Sequence, residues 1–489
     1  MAHRNPEASP DTGLLPLVVD LDGTLTPADT LLESVVRVLR RNPLDALRLP
    51  LWVLKGRAAF KQEIASRADF SAEQLPYRAS LVGFLRSEKQ RGRRLVLATA
   101  SDREVAHAVA AHLGLFDDVL ASDGCRNLKG AEKLRAIREK VGERYVYAGD
   151  STADLPVWKA AHAAIPVGVT SGLAQSIRKA TVIEREFPRE EIGAAGWLRA
   201  LRVHQWLKNL LIFVPLLTAF SFLDYAKLGT AVVAFFAFCF AASASYIVND
   251  VWDIESDRAH PRKRRRAFAS AQIPITLGLA VAAGALALAL MLAAAVSQAF
   301  LLMALLYLAL TGLYSWVLKQ HALVDVIALS LLYTLRILAG SVAVGVTTSS
   351  WLLAFSVFIF FSLALVKRCT ELASLGQAGA KATPGRDYLV SDLVVLWPLG
   401  VVSALCAVVV FGLFISDPET VSRYDSPRLL WLVAIGLIYW LSRIWIKCAR
   451  GQMDDDPVVF AIRDPGSRIT VLGMIIATLA ARFVALGSF

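Results

Sequence analysis

The sequence predicts an α/β Rossmann-like domain with a small helical cap, followed by an all-α polytopic membrane domain of about nine transmembrane helices. Three observations carry this. Most charge lies before about residue 208, apolar stretches of near-bilayer length recur from Leu210 to Leu486, and short apolar strands in the first part run into turns bearing carboxylates. The 489 residues also exceed what one hydrophobic core normally fills.

The formal net charge is +11. Its basic residues cluster at the ends of apolar spans, the pattern of a membrane protein, so no nucleic-acid partner is expected. The five cysteines show no CxxC spacing and read as small buried hydrophobes rather than a disulfide frame or metal site. Residues 1–14 lack the apolar core of a signal peptide and read as a disordered lead, which leaves the first domain in the cytosol.

In the first domain, taken as residues 15–190, the strand 17–21 runs into Asp22-Gly23-Thr24, setting Asp20 and Asp22 at a strand's carboxyl end. Sites in open α/β sheets form at that end. A second strand, 94–98, ends at Thr99, and a third, 145–148, ends in Gly149-Asp150-Ser151-Thr152-Ala153-Asp154. Helical patterns at 103–113 and 129–141 separate them and imply a parallel sheet. Residues 28–88 are mostly helical by pattern and read as the cap.

The spans expected are 209–223, 228–248, 273–293, 298–317, 323–343, 350–366, 391–415, 427–446 and 470–486. Of the basic residues after residue 208, the loops 249–272, 319–321, 367–390 and 447–469 hold most, and the opposite loops hold little more than Lys227 and Arg423. The positive-inside rule then makes the basic loops cytosolic and, with an odd number of spans, puts the C-terminus outside.

The second expected span runs into Asn249-Asp250-Val251-Trp252-Asp253, with Asp257 four residues later. If the helix continues, Asp250, Asp253 and Asp257 share a face. Three carboxylates at a helix C-terminus repel one another and face its negative pole, and a bound cation removes that penalty. Oxygen ligands suit Mg²⁺, which completes its shell with substrate phosphates. The adjoining His260-Pro261-Arg262-Lys263-Arg264-Arg265-Arg266 run could hold those phosphates. Arg336 lies in an apolar span where an unpaired charge is costly, so a cavity-facing position is expected. Asp325 reads equally as its partner or as a helix N-terminal residue.

The ordered set Asp-x-Asp-Gly-Thr, Thr99, Lys129 and Gly-Asp-x-x-x-Asp resembles the haloacid dehalogenase (HAD) superfamily of phosphatases over roughly residues 15–185. The resemblance implies that Asp20 attacks phosphorus and that Asp22 protonates the leaving oxygen and then activates water. Thr99 would hydrogen-bond a phosphoryl oxygen. Lys129 would neutralise charge, with Lys133 as the alternative. Asp150 would hold Mg²⁺ with Asp20 and the main-chain carbonyl of Asp22, and Asp154 would support that shell.

The aspartate-rich motif resembles the first such motif of the UbiA superfamily, over about residues 197–489. Within it the chain is similar to the decaprenyl-phosphate phosphoribosyltransferases of cell-wall arabinan synthesis. The likeness rests on Arg202-Val203-His204-Gln205-Trp206-Leu207-Lys208-Asn209, on Lys367-Arg368-Cys369-Thr370-Glu371-Leu372, and on a late segment from Asp456 to Asp464. The second aspartate-rich motif of ordinary prenyltransferases is absent, and Lys367-Arg368 stands in its place. Fewer carboxylates and more cations suit a donor with more phosphate, such as phosphoribosyl pyrophosphate.

The resemblance then implies a bifunctional enzyme of the bacterial plasma membrane. Mg²⁺ on Asp250 and Asp253, supported by Asp257, would grip the donor, with Asn249, Lys208, Lys263, Arg264, Arg336, Lys367 and Arg368 as substrate contacts. A polyprenyl phosphate would be the acceptor, and the phosphatase would remove the 5-phosphate of the product. A homo-oligomer is compatible with this reading. Two others compete: prenyl transfer to a small acceptor beside an unrelated phosphatase, and a transporter or scaffold without membrane chemistry.

Overall fold

The computed structural model describes residues 14–189, 192–379, 381–383, 385–453 and 457–485, so most of the expected lead, and Asp456 of the late segment, lie outside the described residues. The chain forms two compact units. One holds the residues up to Leu201 together with Tyr246–Val281, and the other holds Arg202–Ser245 with Ala282 onward.

The first unit is built on six parallel strands: β1 (Leu17–Val19), β2 (Leu95–Asp102), β3 (Asp118–Ser122), β4 (Val146–Gly149), β5 (Ala163–Pro166) and β6 (Val182–Ile183). Their order is β3-β2-β1-β4-β5-β6, and β1 pairs in register with β2 and β4, Val18 lying opposite both Val96 and Tyr147. Strand order reverses at β1, so the crevice beyond its carboxyl end is the natural site. Side chains alternate between two cores. Leu17, Val19, Leu95 and Leu97 pack on one face, and Val18, Val96, Tyr145 and Tyr147 on the other with Trp158 and Ile177. A strand covered on both faces reads as a continuous apolar run, as β1 does.

The cap is smaller than the sequence suggested. Helices Thr30–Arg41, Leu49–Leu54 and Arg57–Ala65 gather a small core of their own around Val38, Trp52, Ile64 and Ala68. The helix Ala79–Gln90 instead buries Leu81, Val82 and Leu85 in the sheet core. The cap thus ends before residue 79, because that helix's apolar face is matched to the sheet.

Eight helices among the described residues are long and apolar enough to cross a membrane, from Tyr225–Trp252 to Pro465–Phe483. This is a multi-pass membrane protein. The first of the nine expected spans, 209–223, is not a regular helix: Val203–Phe213 is a 3₁₀ segment, Val214–Thr218 a short helix and Ser221–Leu223 another 3₁₀ turn. Pro215 cannot donate to a preceding turn, and Phe220 takes a left-handed φ of 51° that ends the helix. The 3₁₀ segment packs closely on the helix Val324–Val344. A Cβ on Gly340 would meet the Ile212 carbonyl oxygen at 2.1 Å.

Candidate active sites

The turn after β1 places Asp20 at the sheet's carboxyl edge, where its backbone N–H donates to the Ala148 carbonyl at 2.9 Å and its own Oδ1 accepts from Leu21 N at 2.8 Å. The turn after β4 brings Asp150 and Asp154 to the same point. Ligand oxygens of Asp20, Asp150 and Asp154 lie within 4.8 Å of one another. Gly23, at φ 74°, is needed there, since a Cβ on it would meet Asp150 Oδ2 at 2.0 Å. An all-oxygen donor set that leaves no room for a side chain fits Mg²⁺.

Crowding has its electrostatic cost. Burial pushes Asp20 up to about 7, against the pull of Lys133, and burial with the neighbouring carboxylates pushes Asp150 up to about 8. A cation among them would reverse both shifts.

The lysine beside Asp20 is Lys133, whereas the sequence favoured Lys129 for that place. Lys133 Nζ lies 2.8 Å from Asp20 Oδ2 and 3.1 Å from Asp154 Oδ1, and it donates to Tyr147 Oη at 2.9 Å. Lys129 is exposed in the turn before the helix Ala131–Lys140. Lys133 sits in that helix's first turn, and its side chain reaches Tyr147 of β4.

Asp22 accepts from Thr30 N at 2.7 Å and from the Ser101 hydroxyl, while Thr30 and Ser101 hydroxyls lie 3.0 Å apart. Burial raises its pKa, with Asp29 adding to it, which favours the protonated form a general acid needs. Thr99 lies within β2, buried, its hydroxyl accepting from Ser101 N at 3.0 Å. Sequence reasoning missed Ser101, Thr30, Tyr147 and Lys61. Lys61 reaches from the cap to Asn127 Oδ1 at 2.9 Å and to the Ala100 carbonyl beside Thr99. Nothing in its local pattern distinguishes it from a solvated helix lysine.

The aspartate-rich segment departs from one continuous helix. Tyr225–Trp252 stops, Asp253 takes φ −96° and ψ 12°, and a second helix runs Ile254–Ala259. Asp250 and Asp257 are both buried, and Arg266 Nη1 bridges them at 3.1 and 2.7 Å. Burial raises Asp257, Arg266 opposing it. Among the described residues Asp250, Asp253 and Asp257 do not converge as a three-carboxylate metal cage; only the phosphatase trio does. Arg266, the last residue of the basic run expected to hold phosphates, supplies the neutralising charge instead. Lys263 and Arg264 are exposed. Asn249 Oδ1 is buried without a hydrogen-bond partner, an orphan acceptor suited to a cation or donor ligand.

In the second unit, Arg336 is buried. It donates to Asn209 Oδ1 at 2.9 Å and to Tyr307 Oη at 3.1 Å, and lies over the rings of Tyr307 and Tyr333 at 4.9 and 5.5 Å. Asp325 is therefore not its partner. Asp325 pairs with Arg368 and accepts from Tyr388 Oη. Arg368, expected among phosphate contacts, is committed to this buried pair and to Glu371, since a guanidinium at 1% exposure needs counter-charge. Lys367 is half-buried beside it, and Lys208 stands 5.8 Å from the Tyr333 ring.

The model of the UbiA prenyltransferase family matches residues 210–463. The chain belongs to that family. A haloacid dehalogenase-like hydrolase model matches residues 17–159, so this UbiA protein is an enzyme with a hydrolase domain ahead of its membrane transferase domain. An uncharacterised protein of Sinorhizobium fredii, y4nM, is 39% identical over 93% of this chain and 88% of its own length. That match runs through both domains. The nodulation protein NoeC of Azorhizobium caulinodans is 34% identical over 57% of this chain and 90% of its own. The decaprenyl-phosphate phosphoribosyltransferase of Mycobacterium tuberculosis is 32% identical over 59% of this chain and 94% of its own.

Proposed function

We propose that the UbiA domain transfers the 5-phosphoribosyl group from phosphoribosyl pyrophosphate to a polyprenyl phosphate, and that the HAD domain then hydrolyses the 5-phosphate of the lipid product. The observation that carries the transferase half is the bridged aspartate segment, taken with the similarity to phosphoribosyltransferases. Arg266 holds Asp250 and Asp257 ready, and a donor's phosphates would draw it away.

In the transfer, an oxygen of the lipid phosphate attacks the anomeric carbon as its bond to pyrophosphate breaks. Asp250, Asp253 and Asn249 would hold a Mg²⁺ ion, and Arg266, Lys263 and Arg264 take up the phosphate oxygens. In the hydrolysis, Asp20 attacks phosphorus, Asp22 gives its proton to the leaving sugar oxygen, and Lys133 screens the nucleophile. Asp22 then takes a proton from water, which cleaves the aspartyl phosphate and frees inorganic phosphate. Bound Mg²⁺, on Asp20, Asp150 and Asp154 here, would stabilise the developing phosphate charge at either site.

Orientation follows from the same reading. By the positive-inside rule the phosphatase and the basic loops would be cytosolic, and with the broken segment before Tyr225 as a ninth crossing the C-terminus would lie outside.

The test is donor choice. Purified protein with Mg²⁺ and polyprenyl phosphate should consume labelled phosphoribosyl pyrophosphate and leave labelled prenyl pyrophosphate untouched. Prenylation of a small aromatic acceptor would overturn the reading in favour of an ordinary prenyltransferase.

A further inference from the structure

One cap helix touches both chemistries. Thr30, at the start of the helix Thr30–Arg41, donates its N–H to Asp22. Glu33, Arg37 and Arg40 follow at steps of three and four on one face. Glu33 takes a two-pronged pair from Arg258, at 2.8 and 2.6 Å, with both side chains almost wholly buried at 4% and 6% exposure. Arg37 pairs with Glu255 at 2.5 Å, and Arg40 lies 3.8 Å from the same carboxylate. Arg258 is fixed from behind by the Ala269 carbonyl at 2.7 Å. Glu255 and Arg258 belong to the short helix Ile254–Ala259, which also carries Asp257 and begins right after Asp253.

These contacts all lie within one compact unit. The Glu33–Arg258 pair is bidentate and desolvated, the geometry that fixes position, and the Arg37–Glu255 pair beside it has the charges reversed, with Glu255 34% exposed.

We propose that the Glu33–Arg258 and Arg37–Glu255 pairs are a clasp that makes the cap helix Thr30–Arg41 a shared positioning element. It sets the aspartate segment for its phosphate-bearing donor and the cap for the phosphatase at once. Glu33, Arg37, Glu255 and Arg258 are positioning residues and touch no reacting atom. The inference rests on the assignment of the aspartate segment to a pyrophosphate-bearing donor, whichever donor that is. Displacing the short helix moves Asp257, and with it the bridging Arg266, and shifts Asp253 at the helix start. Displacing the cap helix moves Thr30 against Asp22.

The experiment is a charge swap in the full-length protein, reading transfer with the donor that the unaltered protein turns over and hydrolysis of p-nitrophenyl phosphate. Glu33→Arg and Arg258→Glu should each raise the KM for the donor about tenfold and lower the hydrolysis rate severalfold. The double variant Glu33→Arg/Arg258→Glu should recover most of both. A merely structural role would reduce active protein and kcat while leaving the KM unchanged. Should either charge reversal fail to fold, Glu33→Gln, which keeps the shape and removes the charge, is measured in its place and should raise the donor KM and slow hydrolysis in the same sense. The proposal is overturned if the folded single variants lose only one activity or neither, or if the double variant is no better than the singles. If the unaltered protein uses prenyl pyrophosphate, the donor assignment fails while the swap still reports on the clasp.

Discussion

Lys133 Nζ stands 2.8 Å from Asp20 Oδ2, four residues past the exposed Lys129 that the sequence favours. A place in the first turn of the helix Ala131–Lys140 decides which amine meets Asp20. Lys133→Ala should lower phosphatase turnover by roughly a hundredfold to a thousandfold, the loss typical of one preorganised charge-stabilising group. Lys129→Ala should leave turnover near the unaltered rate. Steady-state hydrolysis of a small phosphate monoester distinguishes the two, and a reversed order would return the role to Lys129.

Asp20→Asn exchanges the carboxylate proposed to attack phosphorus for an amide. Hydrolysis should fall by at least about a thousandfold while transfer persists, since the proposed transfer residues lie on another segment. The variant should accumulate lipid phosphoribose 5-phosphate, and the unaltered protein should yield lipid phosphoribose with free phosphate. Mass spectrometry of extracted lipid separates the products by one phosphate. If the unaltered protein also stops at the 5-phosphate, the phosphatase serves another substrate.

The bridge from Arg266 to Asp250 and Asp257 makes a different prediction from the loss of a carboxylate. Asp250→Ala or Asp253→Ala should abolish transfer and spare hydrolysis. Arg266→Ala should chiefly raise the donor KM, because it removes a phosphate contact while keeping the oxygen ligands. Kinetics at saturating Mg²⁺ separate the two. Normal transfer in Asp250→Ala, with the fold verified, would reduce the segment to a structural loop.

Asp325 and Arg368 form a pair at 0% and 1% side-chain exposure. Asp325→Ala should destabilise the membrane domain by about 3–5 kcal/mol by stranding the guanidinium, and adding Arg368→Met should restore part of that. Thermal inactivation in detergent measures it. An Asp325→Ala protein as stable as the unaltered one would show that the pair contributes nothing.

Much of this protein was decided locally. Apolar runs ending in carboxylates set the parallel strands and put Asp20, Asp22, Thr99, Asp150 and Asp154 at one edge, because strand ends in a parallel sheet share a side. The long apolar stretches set the membrane helices, because backbone groups in lipid must be satisfied within the helix. Pairing across distant parts of the chain was not legible. Only the tertiary structure chose Lys133 over Lys129, matched Arg336 with Asn209 and Tyr307, committed Arg368 to Asp325, and assigned the helix Ala79–Gln90 to the sheet rather than the cap. It also broke the segment 203–223 and laid Arg266 across two aspartates. A buried charge takes whichever counter-charge the packing presents, and sequence spacing does not encode a partner dozens of residues away.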